Sequence, residues 1–268
     1  MSASTSDSHI YDRRAYPLED VHALTRADLL GRCQQDLADR GATVLPNFVE
    51  QDTLTTIISE VTPYLAEAFY KPKTHNVYLV EPDAHFAENH PRNREVSTNS
   101  ATLGYHGIVP GSALDRLYKD ATFRQFIADA LGFETLYPYR DPLSPVNVLV
   151  YKPGTTTGWH FDSSKFTVTL LLRAAESGGR YDYAPFIRSE SDPGYEAVER
   201  ILGGSHDGVE ELQQGAGDLV LFRGAMTLHR VTEVLGSTTR LVSVFSYSPD
   251  AHAELNAQTR RTFYGRER

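Results

Sequence analysis

Residues Pro145 to Asp162 read PVNVLVYKPGTTTGWHFD, and the reading of the fold turns on them. Val146 to Lys152 is rich in β-branched and apolar residues, the composition of a strand. The strand breaks at Pro153-Gly154, crosses three threonines and ends on His160-Phe161-Asp162. Alternate side chains of a strand share a face, so His160 and Asp162 point the same way.

One imidazole and one carboxylate aimed together are two of the three ligands of a 2-His-1-carboxylate site, the set that holds non-haem Fe(II). The third ligand must be a histidine far downstream, near a strand. His229, in GDLVLFRGAMTLHRVTEV (217–234), is such a residue. His252-Ala253-Glu254 repeats the spacing, but no histidine follows it and its segment is polar and terminal.

The whole chain bounds the rest. Its 268 residues can bury a substantial core as one domain. A hydrophobic content of 40% with 23% charged residues is that of an ordinary soluble globular protein. The net charge of −9 argues against a nucleic-acid surface, which needs a basic stripe. Small anionic substrates would therefore need locally placed arginines. Cys33 is the single cysteine, so an intramolecular disulfide and a cysteine metal site are both excluded. That suits a reducing cytoplasm, the location expected here. The start, MSASTSDSHIYDRR, lacks the apolar stretch of a secretory signal. No apolar run approaches the ~18 residues of a membrane span.

Along the chain, residues 1–15 are expected to be flexible and 16–268 to form a single domain. A helical N-terminal layer (16–134) precedes a β-rich core (135–250). Helices are expected from Arg26 to about Arg40, from Glu50 to Phe69 with a kink or split at Pro63, and from Ser112 to Leu131. Residues 70–110 read as irregular, a candidate lid or substrate loop. GATVLPNFV (41–49) is expected to open as a short strand ending at Pro46, and further strands are expected at 136–140, 146–152, 166–173, 179–183, 218–222, 227–234 and 239–247, with a short helix near 195–202. Many short strands behind helices predict an α+β fold, mainly β, of the jelly-roll type. Nothing in the chain shows β-α-β alternation or a glycine-rich phosphate loop.

His160-Phe161-Asp162, the distal His229, and Arg240 eleven residues later in HRVTEVLGSTTRLVSVFSY (229–247) together resemble the Fe(II)/2-oxoglutarate-dependent dioxygenase superfamily. The resemblance spans roughly residues 135 to 250. It implies a double-stranded β-helix, or cupin-like jelly roll, with His160, Asp162 and His229 as ligands of Fe(2+). It implies that Arg240 pairs with the distal carboxylate of 2-oxoglutarate, whose oxygens match a planar guanidinium. Three protein ligands leave three positions of an octahedral iron, two for the cosubstrate and one for O2. Asn147 and Tyr151 share a face of the preceding strand, where similar enzymes place polar residues against the cosubstrate. Arg230, beside His229, is expected to face away from the site.

The stretches 147–173, 178–189 and 217–234 resemble more narrowly the bacterial branch that hydroxylates or halogenates free or N-modified amino acids. Its halogenases carry Gly or Ala in place of the ligating carboxylate. Asp162 is kept here, so the resemblance implies hydroxylation. Arg188, Arg92 and Arg94 are candidates for a substrate carboxylate, and Trp159 for a wall of the site. Two alternatives stay open: the same mechanism on a nucleotide or other carboxylate metabolite, and a jelly-roll metal protein or isomerase that does not use 2-oxoglutarate. The expected partner is a small-molecule substrate, with no nucleic acid and no membrane.

Overall fold

The computed structural model describes residues 9–20, 22–255 and 257–266. Among them, two antiparallel sheets carry the molecule. The larger has seven strands, in the order Ala42–Leu45, Leu219–Phe222, Thr167–Arg173, Arg240–Phe245, Val146–Tyr151, Ala101–Leu103 and Phe69–Tyr70. The smaller has six: Glu210–Glu211, Tyr181–Ala184, Leu228–Val231, Thr157–His160, Glu95–Thr98 and Lys73–Asn76.

Parity along the strands explains the layering. Val146, Val148 and Val150 face the helices, in one core with Leu37, Ile57 and Phe126. Leu149 and Tyr151 face the other way and meet Val231 and Tyr181 of the smaller sheet. Because Val146–Tyr151 is covered on both faces, its sequence is almost continuously apolar. The two sheets thus enclose an interior, as a double-stranded β-helix requires. The outer face of the smaller sheet is covered by the helix Tyr195–Leu202, whose Val198 and Ile201 pack in one cluster with Trp159.

In the helical layer the second helix splits at Pro63 as expected, and the third departs from expectation. Gln51–Val61 is α-helical and Thr62–Glu67 continues as a 3-10 turn, because Pro63 cannot donate the next helical hydrogen bond. Residues 112–131 form two helices, Ala113–Lys119 and Ala121–Leu131. Asp120 breaks them apart: its side chain accepts from the Thr122 and Phe123 amides at 2.7 and 3.1 Å and caps the second helix. Gly132 stops that helix with φ at +79°, and the Phe133 amide donates back to the Ala128 carbonyl. Asp120→Ala is expected to destabilise the protein by about 1 kcal/mol, read from the urea midpoint at unchanged slope.

Three further expectations are corrected. Residues 9–15 are held in place: Tyr11 stacks on Phe48 and the Asp12 amide donates to the Phe48 carbonyl. Residues 1–8 lie outside the described residues. The segment 70–110 is only partly irregular, since Lys73–Asn76, Glu95–Thr98 and Ala101–Leu103 extend the two sheets. With Ala42–Leu45 they show that the β core draws strands from before residue 135. The strand expected at 136–140 shrinks to Tyr137–Pro138, paired with Tyr247–Ser248.

Candidate metal centre

His160 ends the strand Thr157–His160, and His229 sits directly opposite it on Leu228–Val231. The two rings lie 4.1 Å apart, centroid to centroid. Asp162 follows two residues after His160, its amide donating to the Gly224 carbonyl. His160, Asp162 and His229 each offer a ligand atom, all within 4.8 Å of one another. His160 Nε2 is 3.7 Å and His229 Nε2 3.5 Å from Asp162 Oδ1, too far for good hydrogen bonds. The donors converge on a common point without bonding each other, which is the geometry a cation would complete.

The ring orientations are fixed from behind. His160 Nδ1 is 2.9 Å from the Gly158 carbonyl and His229 Nδ1 is 3.0 Å from the Thr227 carbonyl. A carbonyl accepts only from N–H, so each Nδ1 carries a proton and each Nε2 is turned toward Asp162. Burial and the neighbouring His229 push the His160 pKa below the usual imidazole range. Burial opposes the charge of Asp162, but His229, His160 and the Thr167 hydroxyl outweigh it and hold the carboxyl well below the usual range. Thr167 Oγ donates to Asp162 Oδ2 at 2.5 Å. Two imidazoles anchored through Nδ1 and one anchored carboxylate, with no thiolate, suit divalent iron.

Arg240 lies on the larger sheet, directly across the ladder from Tyr151. It is 3% exposed, and no carboxylate among the described residues pairs with it. Its guanidinium lies 5.4 Å from the Tyr151 ring. Burial lowers its pKa, yet a guanidinium keeps its proton, so the fold holds an uncompensated positive charge in its interior. Tyr181 links this charge to the metal ligands: its ring stacks on His229 at 5.5 Å, and its hydroxyl senses both Arg240 and Asp162. An acid group reaching from the metal toward Arg240 is therefore what the interior lacks.

The other sequence candidates divide. Tyr151 stands beside Arg240, its hydroxyl 3.0 Å from Thr157 Oγ. Asn147 shares its face but sits four residues, roughly 13 Å, along the strand. Its amide donates to the Tyr264 hydroxyl, so it secures the helix Ala257–Tyr264 and does not adjoin Arg240. Trp159 does not wall the site. As the neighbour of His160 in a strand it turns to the opposite face, where Arg230 lies 4.6 Å over its ring and pairs with Asp182. Arg92 and Arg94 are also corrected: they donate to the Glu81 and Leu202 carbonyls and serve loop and helix ends. Arg188 lies 4.2 Å over the Phe161 ring, and the Asp162 charge acts on it. Thr167, Tyr181 and Gly224 were not singled out from sequence, because only the pairing of distant strands brings them to the centre.

Lys73 lies on the strand that also carries His75, whose ring is 6.2 Å from that of His160. The ammonium sits 3.5 Å over the Phe263 ring, and burial pushes it down to about 8. The unfolded chain therefore binds more protons between about pH 8 and 10.5, and stability rises with pH across that window. Lys73→Met is expected to flatten that rise and to gain ~1–2 kcal/mol at pH 7 after allowance for partial solvation. Urea denaturation of both proteins at several pH values checks it.

The Halogenase D family model matches residues 25–265. No curated protein matches the chain. Among solved structures, an oxidoreductase of the 2OG-Fe(II) oxygenase family from Burkholderia pseudomallei is similar at 16% identity, with 84% of this chain and 92% of that one covered and a TM-score of 0.52. A Pseudomonas putida prolyl-4-hydroxylase gives 18% identity, 81% and 97% coverage and 0.50. The non-heme alpha ketoglutarate dependent epimerase SnoN from nogalamycin biosynthesis gives 13% identity, 82% and 81% coverage and 0.56. At these identities the likeness is one of fold, and it agrees with the two facing sheets. No helix among the described residues is long and apolar enough to cross a membrane.

Proposed function

The chain belongs to the Halogenase D family, and on that premise we propose that it is an Fe(II)- and 2-oxoglutarate-dependent hydroxylase acting on a small polar metabolite, a free or N-substituted amino acid. One observation carries the reading: a converging His160–Asp162–His229 triad lies in the same interior as a buried arginine that lacks an acid partner. His160, Asp162 and His229 would hold the metal, and Arg240 would take the far carboxylate of 2-oxoglutarate. Bound together, iron and 2-oxoglutarate would activate O2 for insertion of oxygen into a C–H bond. Tyr181 and Phe222, packed against the His229 ring, keep water from that ligand. No side chain is needed as general base.

The family's description favours a second reading, halide transfer. It needs a coordination position for the halide, and Asp162 fills the place of a third protein ligand. That retained carboxylate supports oxygen transfer.

The test is anaerobic addition of Fe(II) and 2-oxoglutarate to the metal-free protein. A visible charge-transfer band is expected. Succinate release is then screened over amino acids and their N-acyl forms in chloride buffer, with product masses separating hydroxylation from chlorination. A folded, metal-loaded protein without the band would sink the oxygenase reading, and a chlorinated product would sink the hydroxylase assignment.

A further inference from the structure

A pocket of about 710 Å³ lies beside the chain segments that follow Asp162 and flank Gly224. Arg188, Arg223 and Lys165 line it, with Phe133, Phe166 and Met226 as apolar wall. Its nearness to the triad follows from the chain. Lys165 and Phe166 stand three and four residues beyond Asp162. Arg188 Nε donates to the carbonyl of Ala225, the neighbour of Gly224, which abuts the Asp162 carboxylate.

Arg188 spends one N–H on the Ala225 carbonyl, but none of the three cations is neutralised. No carboxylate among the described residues pairs with Arg188, Arg223 or Lys165, although the chain carries nine more acids than bases. Arg223 Nε is buried with no hydrogen-bond partner, a state that costs free energy until an acceptor arrives. The one acid in the lining, Glu190, is exposed. A single carboxylate would leave most of this charge unanswered. A free amino acid would bring an ammonium as well, into a wall whose single carboxylate is Glu190. Ten heavy atoms, even at about 30 Å³ each, would fill under half of the space.

We propose that the substrate carries a doubly charged acid group on an apolar body, the acid held by Arg188, Arg223 and Lys165 and the body by Phe133, Phe166 and Met226. This rests on the oxygenase reading and, within its small polar metabolites, favours a conjugate bearing a second acid, a dicarboxylate or a phosphomonoester, over a free amino acid. Planar guanidinium groups suit either, since both acids present paired oxygens.

Calorimetry on the Mn(II)-loaded protein tests it. Uptake of 2-oxoglutarate is measured first and judges the oxygenase reading by itself. Phenyl phosphate, phthalate and benzoate are then titrated with and without 2-oxoglutarate, so the two failures are read separately. A dianion is expected to bind at least about tenfold tighter than benzoate. Phenyl phosphate ahead of phthalate assigns a phosphomonoester, and the reverse order a dicarboxylate. Arg188→Gln and Arg223→Gln are each expected to weaken the dianion about tenfold while 2-oxoglutarate uptake stays as in the parent. Lys165→Gln, on an exposed side chain that folding does not need, repeats the test with a smaller loss. Benzoate binding as tightly as both dianions, or variants that bind them like the parent protein, would overturn the proposal.

Discussion

Gly224→Ala is expected to weaken divalent-metal binding at least about 100-fold, although residue 224 is not itself a ligand. A Cβ built there would overlap Asp162 Oδ2 and lie 2.6 Å from Asp162 Cγ and 2.9 Å from its Cβ. Those contacts are too short to absorb, so the carboxylate must swing off the point where the three donors meet. Backbone relief is blocked, because the Asp162 amide is bonded to the Gly224 carbonyl at 3.0 Å. The φ of Gly224 is not in the left-handed region, so space alone demands glycine here. Thr167→Val tests the same carboxylate from its other side, with a loss of about tenfold expected for removal of one hydroxyl donor. Competition with a chromogenic chelator gives both affinities, and circular dichroism confirms the fold. Unchanged affinity in a folded Gly224→Ala protein would refute the placement of Asp162 as a ligand.

Arg240→Met is expected to act in opposite directions on two measurements. It should raise the stability of the metal-free protein by about 1–4 kcal/mol, because it replaces an uncompensated buried charge with an apolar chain of similar length. It should also lower 2-oxoglutarate affinity roughly 100- to 1,000-fold, the cost of deleting one partner of a buried ion pair. Urea denaturation reads the first effect, and loss of the anaerobic visible band reads the second. A purely structural arginine would lose stability on replacement and leave the band intact.

How much of this was open to a reader of the sequence depended on distance along the chain. His160 and Asp162 are local, and their spacing announced them. His229 and Arg240 were found because each lies in an apolar, β-branched run that advertises a strand. Gly224, Thr167 and Tyr181 carry no such mark: a glycine matters here only because a carboxylate from another loop occupies its missing side chain. Trp159 was legible in principle, since strand parity that puts His160 inside puts its neighbour outside. The strands between residues 69 and 103 escaped notice because they are two to four residues long and their composition is largely polar. Asp120 looked like one more polar residue in a helix, yet its short side chain served better as a cap, and one predicted helix became two. Arg223 and Lys165 lie close to the ligands in sequence, but nothing local reveals that they share a pocket.

The strand order of the larger sheet bears on how the protein is made. Ala42–Leu45 pairs only with Leu219–Phe222, so this edge must wait for about 170 further residues. At translation rates of roughly 5–20 residues per second, that is on the order of 10–30 s in which an apolar strand on a nascent chain has no neighbour. His160 and Asp162 likewise wait for His229, so the three donors of the triad meet only after the stretch between them has emerged. The chain emerging between these paired strands is therefore the stage at which chaperone binding or aggregation would claim it.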